Sequence, residues 1–174
     1  MNDGVTEGPS STFNMNGGIH HVPISGLPGK LWLCGKHLIA PDPEGTLLSV
    51  GATHVVCLVR EYELADRYPS YVEWLRSSGS ATWFPISDLS LPRLEEIRAP
   101  FQSVYSRVHG GESVIVHCAA GSGGAVSFAT ALCMMSGMNL DVAVAHVRRH
   151  RPGAGPEAGE QREVLEELAR SLGR

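Results

Sequence analysis

The stretch Val114-Ile115-Val116-His117-Cys118-Ala119-Ala120-Gly121-Ser122-Gly123-Gly124-Ala125 constrains this chain more than any other. Three β-branched residues run into a His-Cys pair, a run of small residues follows, and then the helical run 126–135. The pattern reads as a buried strand, a tight loop and a helix N-terminus. In that geometry backbone N–H groups converge on one point, and the helix dipole favours an anion there. A cysteine that opens such a loop is favoured as thiolate, the nucleophilic form of sulfur. The stretch is therefore expected to bind a phosphate-like group and attack it. Small-residue loops after strands also occur in nucleotide folds, but no G-x-x-x-x-G-K-[ST] is present. Gly121-x-Gly123 comes late, with no acidic residue ending a following strand, so a dinucleotide loop is not supported.

Around this stretch, strand and helix signals alternate. Residues 1–18 are rich in Gly, Ser, Asn and Thr without periodicity and read as a mobile tail, leaving 19–174 as one domain. Residues 22–24 and 31–34 flank Gly26-Leu27-Pro28-Gly29 and read as an opening pair of strands. A short helix is expected near 46–50, closed by Gly51, and a strand buried on both faces over 53–59. Residues 61–67 and 70–76 suggest helical pieces broken by Pro69, and 81–86 the next strand. Leu94, Ile97, Phe101, Val104, Tyr105 and Val108 recur at helical spacing over 93–109, where Pro100 should kink or split the helix. Asp141 is placed to cap a helix to about His150, residues 151–156 form a loop, and 160–172 a final amphipathic helix. The alternation predicts an α/β fold with a central, mostly parallel sheet flanked by helices.

Composition narrows the function classes. A net charge of −4 argues against a general nucleic-acid or membrane-surface binder. No apolar run approaches the roughly 18 residues that a membrane span requires. The first residues lack a basic-then-apolar signal pattern, so a cytoplasmic location is expected. Cys34, Cys57, Cys118 and Cys133 form no C-x-x-C pair, and neither they nor the histidines show metal spacing. Free buried thiols in a reducing compartment follow as the expectation.

His117-Cys118-x-x-Gly121-x-Gly123 resembles the signature loop of cysteine-dependent protein phosphatases, particularly the small dual-specificity type. The resemblance covers roughly residues 20–172 and implies the same fold. It also implies phosphomonoester hydrolysis through a cysteinyl-phosphate, with no metal or organic cofactor. Cys118 becomes the nucleophile, and His117, Ala119, Ala120, Gly121, Ser122, Gly123 and Gly124 become the phosphate-binding loop. Asp88, after the Trp83–Ile86 run and thirty positions upstream (88 against 118), becomes the general acid. Arg148-Arg149-His150-Arg151-Pro152-Gly153-Ala154 followed by Gln161 is similar to a family run whose glutamine orients the hydrolytic water. The implied substrate is a phosphorylated protein or another phosphomonoester.

One position departs from that pattern. The family loop carries an arginine six residues after its cysteine, and here that place holds Gly124; Val126 stands where relatives often have glycine. A guanidinium binds phosphoryl oxygens bidentately and stabilises transition-state charge. Two charge-assisted hydrogen bonds of about 1.5–3 kcal/mol each correspond to a rate loss on the order of 10²- to 10⁴-fold. Either a strongly impaired phosphatase, helped by an arginine of the 148–151 cluster, or a catalytically inactive pseudophosphatase that binds phosphoproteins is therefore expected.

Overall fold

The apolar run that ends at Cys118 forms β5 (Ser113–Cys118), the middle strand of a five-stranded sheet. The computed structural model describes residues 18–87, 90–153 and 160–174. The sheet order is β1-β2-β5-β3-β4, with β1 (Ile19–Val22), β2 (Lys30–Gly35), β3 (His54–Cys57) and β4 (Ala81–Trp83). Only β1 runs antiparallel to its neighbour; the β2–β5, β5–β3 and β3–β4 pairs are parallel. The mostly parallel α/β sheet read from the sequence is thus observed.

Alternation along β5 sorts its side chains between two cores. Val114, Val116 and Cys118 face one, and Ile115 the other, where Cys34 and Cys57 also lie. Four helices cover the Cys118 side: α4 (Leu94–His109), α5 (Gly124–Met135), α6 (Leu140–His150) and α7 (Glu160–Leu172). The opposite side is covered by α1 (Lys36–Ile39), α2 (Pro43–Val50) and α3 (Pro69–Ser77). Helix α5 is buried from Gly124 to Met134, so the helix that follows the cysteine loop is the centre of the larger core. No helix among the described residues is long and apolar enough to cross a membrane.

Several local expectations are corrected. The first strand pairs Ile19–Val22 with Leu31–Cys34, earlier than residues 22–24. Pro69 does not break a helix but opens α3 at its first turn, where a missing N–H costs nothing. Residues 61–67 hold only a 3₁₀ turn, Glu61–Glu63. Helix α4 runs through Pro100 as one element, because Leu94, Ile97, Phe101, Val104 and Val108 on both sides of it share one buried face. Asn139, not Asp141, caps α6: its side chain accepts from Val142 N at 2.9 Å, and Asp141 instead pairs with Arg162. Gly51 closes α2 as expected, in the left-handed conformation at φ 65°. The tail assigned to 1–18 lies, up to residue 17, outside the described residues, as does the second half of the 151–156 loop.

Phe101 of α4 and Phe128 of α5 meet edge to face at 4.8 Å between centroids and are essentially inaccessible. Phe128→Ala should cost about 3–5 kcal/mol, read as a lowered denaturant midpoint with the slope unchanged.

Candidate active site

Cys118 is the last residue of β5, beside Gly35 of β2, at the carboxyl end of the parallel strands. That end is where open α/β sheets place their ligands. The loop then turns through Gly121, whose φ is +78°. The backbone N–H of Gly121 donates to Cys118 Sγ at 3.1 Å. This is the inward amide that a sulfur anion needs.

The amide turns inward because the loop carbonyls are held outward. Lys36 N–H donates to Ala119 O at 2.9 Å. Arg151 Nη2 donates to Ala120 O and Arg151 Nε to Gly121 O, each at 3.2 Å. Arg151 Nη1 also donates to Gly18 O at 3.1 Å and to His20 Nδ1 at 2.6 Å. Arg151 is therefore buried on the carbonyl side of the loop, so within the 148–151 cluster it is not the arginine that reaches in toward a phosphate. Burial lowers the pKa of Arg151, an effect that electrostatic interactions with Cys34 and Cys118 oppose.

On the other face of β5, His117 is fully buried. Its Nδ1 lies 3.2 Å from Cys118 O and its Nε2 2.6 Å from Tyr71 Oη. Burial pushes its pKa down to about 4, so the ring is neutral near pH 7. A neutral ring that donates from Nδ1 to Cys118 O accepts the Tyr71 hydroxyl at Nε2. Tyr71 in turn interacts with Cys57. Burial pushes the thiols of Cys57 and Cys133 up to about 12, and that of Cys34 higher still. All four cysteines are free, and these three are held as thiols.

The space over Cys118 is small, about 10 Å³, and is lined by Leu58, Val59, Glu63, Ile86, Ser87 and Gly124 among others. That is room for about one water. Gly124 begins α5, and a Cβ there would stand 2.6 Å from Ile86 Cδ1 and 3.2 Å from Leu58 Cδ1. The two apolar side chains have closed over the missing side chain.

Of the residues singled out from the sequence, Cys118 ends β5, Ala119 to Gly123 form the loop and Gly124 opens α5, while the His117 side chain lies on the opposite face of β5, against Tyr71. Asp88 lies outside the described residues. Gln161 lies in the first turn of α7, fully buried, and its amide oxygen and nitrogen have no hydrogen-bond partner among the described residues. Sequence reasoning missed Tyr71, His20 and Lys36 as supports of the loop. Nothing in their local pattern marks them, since each reaches the loop only through the fold.

Two outcomes follow. Gly121→Ala would place a methyl against Arg151 Nη2 and 2.8 Å from the Cys34 carbonyl at a positive φ, so a loss of several kcal/mol, about 3–5, is expected in urea unfolding. The depressed pKa of His117 works in the opposite sense to a raised one. Unfolded chains take up the proton near pH 6.5 and the folded chain only near 4, so stability is highest above 6.5 and falls as pH drops through that window. The gap amounts to roughly 3 kcal/mol, and unfolding of His117→Gln followed against pH should lack that share of the slope.

Comparison with known proteins identifies the arrangement. Residues 36–164 match the family described as PTP-SAK, Swiss Army Knife protein, DSP-PTPase phosphatase domain. Among solved structures, Tk-PTP in a glycine-to-alanine mutant form is similar at 32% identity, with a TM-score of 0.70 over 88% of this chain and 96% of that one. Kinase associated phosphatase, with its catalytic cysteine replaced by serine, matches at 20% identity and a TM-score of 0.75 over 89% and 95%. A human tyrosine phosphatase-like serine/threonine/tyrosine-interacting protein matches at 22% identity and 0.69 over 88% and 97%; these two show the fold alone. No curated protein matches the chain. With a sheet, a cysteine loop and a family match that coincide, this chain belongs to the DSP-PTPase phosphatase family of dual-specificity and tyrosine phosphatase-like domains.

Proposed function

We propose that residues 19–174 act as a cysteine-dependent phosphomonoesterase with strongly reduced turnover. The observation that carries this reading is the hydrogen bond from Gly121 N–H to Cys118 Sγ, in a loop whose outward carbonyls are tied down. A thiolate so held attacks phosphorus, and the S–P bond forms as the ester P–O bond breaks. The departing oxygen takes the carboxyl proton of Asp88. Water, oriented by the unsatisfied amide of Gln161, then attacks phosphorus and gives its proton to the Asp88 carboxylate. Inorganic phosphate leaves and the thiolate returns. Phosphorylated proteins are the favoured substrates; PTPMT1, a more distant structural neighbour solved in complex with PI(5)P, widens the class to other phosphomonoesters. The free thiols fit a reducing, cytoplasmic setting.

Gly124 in place of the family arginine lowers the rate by about 10²- to 10⁴-fold. A second reading, a pseudophosphatase acting as a phosphoprotein-binding or regulatory module, is favoured by the space of about 10 Å³ over the sulfur, which holds about one water and keeps a phosphoryl group from the thiolate.

Hydrolysis of a small aryl phosphate separates the two. The unaltered protein should turn over slowly and Cys118→Ser not at all. Gly124→Arg should gain activity, and Gly124→Arg with Ile86→Ala should gain more, on the order of 10²-fold in kcat/KM, because the Ile86 methyl then no longer occupies the arginine's path. Silence from every variant would support the binding module.

A further inference from the structure

We propose that Arg60 supplies the guanidinium for the phosphoryl oxygens, from the side of the site that carries Ser87. The proposal rests on the phosphate-site reading above and names the cation that the loop lacks.

The argument begins with strand alternation. Beyond β3 the chain stays extended alongside the segment that follows β4: Leu58 N donates to His117 O, Phe84 N to Cys57 O and Ile86 N to Leu58 O. Arg60 keeps extended dihedrals, φ −70° and ψ 149°. Successive side chains in such a segment alternate. Val59 belongs to the core on the α1–α3 side, and Leu58 to the core that holds Cys118 and α5. Arg60 therefore shares the side of Leu58, whose Cδ1 lies 3.2 Å from where a Gly124 Cβ would stand. The guanidinium confirms this placement: Nη2 donates to Ser87 Oγ at 2.8 Å, and Ser87 lines the space over Cys118.

Its partner matters as much as its place. Arg76, Arg93, Arg107 and Arg162 each pair with carboxylates, and Arg151 is committed to loop carbonyls. Among the described residues Arg60 has no carboxylate partner; a neutral hydroxyl holds it in an exposed position. A phosphoryl oxygen is a stronger acceptor than a serine hydroxyl and can displace it, and the guanidinium fork can take two such oxygens. Two other charges border the site. Lys36 Nζ lies 3.4 Å from Glu63 O, and Glu63, whose negative charge opposes an anion, is among the residues that line the space. Lys36 is thus the rival cation, with a longer hydrogen bond and a point charge rather than a fork.

The test is calorimetric titration of tungstate into the full chain and into Arg60→Ala, Arg60→Lys, Lys36→Ala and, as a surface control, Arg93→Ala. Far-UV circular dichroism reports that each is folded. Arg60→Ala should weaken tungstate about 10- to 100-fold, Arg60→Lys should recover part of that, and Lys36→Ala and Arg93→Ala should stay within about threefold. Arg60→Ala binding as the unaltered chain does, a loss confined to Lys36→Ala, or no tungstate binding by the unaltered chain would each overturn the proposal. Aryl phosphate turnover on the same proteins judges the phosphatase reading separately. Tungstate affinity lost with Arg60→Ala in a chain that never turns over keeps Arg60 as the phosphate ligand and removes the phosphatase.

Discussion

A guanidinium buried behind the cysteine loop, where no substrate reaches it, holds the carbonyls of Ala120 and Gly121 away from the sulfur, while Lys36 N–H holds that of Ala119. A loop of Ala, Gly and Ser has little intrinsic shape, and its peptide planes can flip at small cost. With three successive carbonyls pinned outward, the Gly121 amide is left to face the Cys118 sulfur. The clamp also ties the loop to β1 through Gly18 and His20, so loop geometry and sheet edge form one cooperative unit. Breaking a buried charge out of such a network leaves its partners unsatisfied, which is why the interaction dominates.

Beneath the loop, burial sets protonation. His117 is neutral because it is desolvated, and neutrality lets one nitrogen donate to Cys118 O while the other accepts from Tyr71. The same desolvation keeps Cys34, Cys57 and Cys133 as thiols. Cys118 differs from them in standing at the mouth of the loop, with an amide on its sulfur. Cys118 and the three buried thiols thus differ in position rather than in residue type.

How much of this was legible beforehand depended on range. Elements set by neighbours in sequence were read well: the β-branched runs of β3 and β5, the apolar spacing of α4 and the glycine that stops α2. The cysteine loop was legible for the same reason. Pro69 misleads because it falls where a helix starts, and Pro100 does not split α4, whose buried face continues past it. The cap of α6 was misplaced by two residues, since Asn139 and Asp141 are both good caps and only the backbone path decides between them. Arg151 was noticed as a charge, but its role depends on β1 and the loop meeting across 131 and 30 residues of chain. Arg60 carried no signal at all: its relation to Ser87 exists only once β3 and β4 lie side by side.

The central claim is that Cys118 sulfur is a nucleophile toward phosphorus despite Gly124. Excess protein incubated with a radiolabelled aryl phosphate, quenched in acid and mapped by peptide, tests it most directly. The account predicts label on the peptide that contains Cys118, absent from Cys118→Ser. Label that persists in Cys118→Ser, or no label on the unaltered chain at any time, would contradict it.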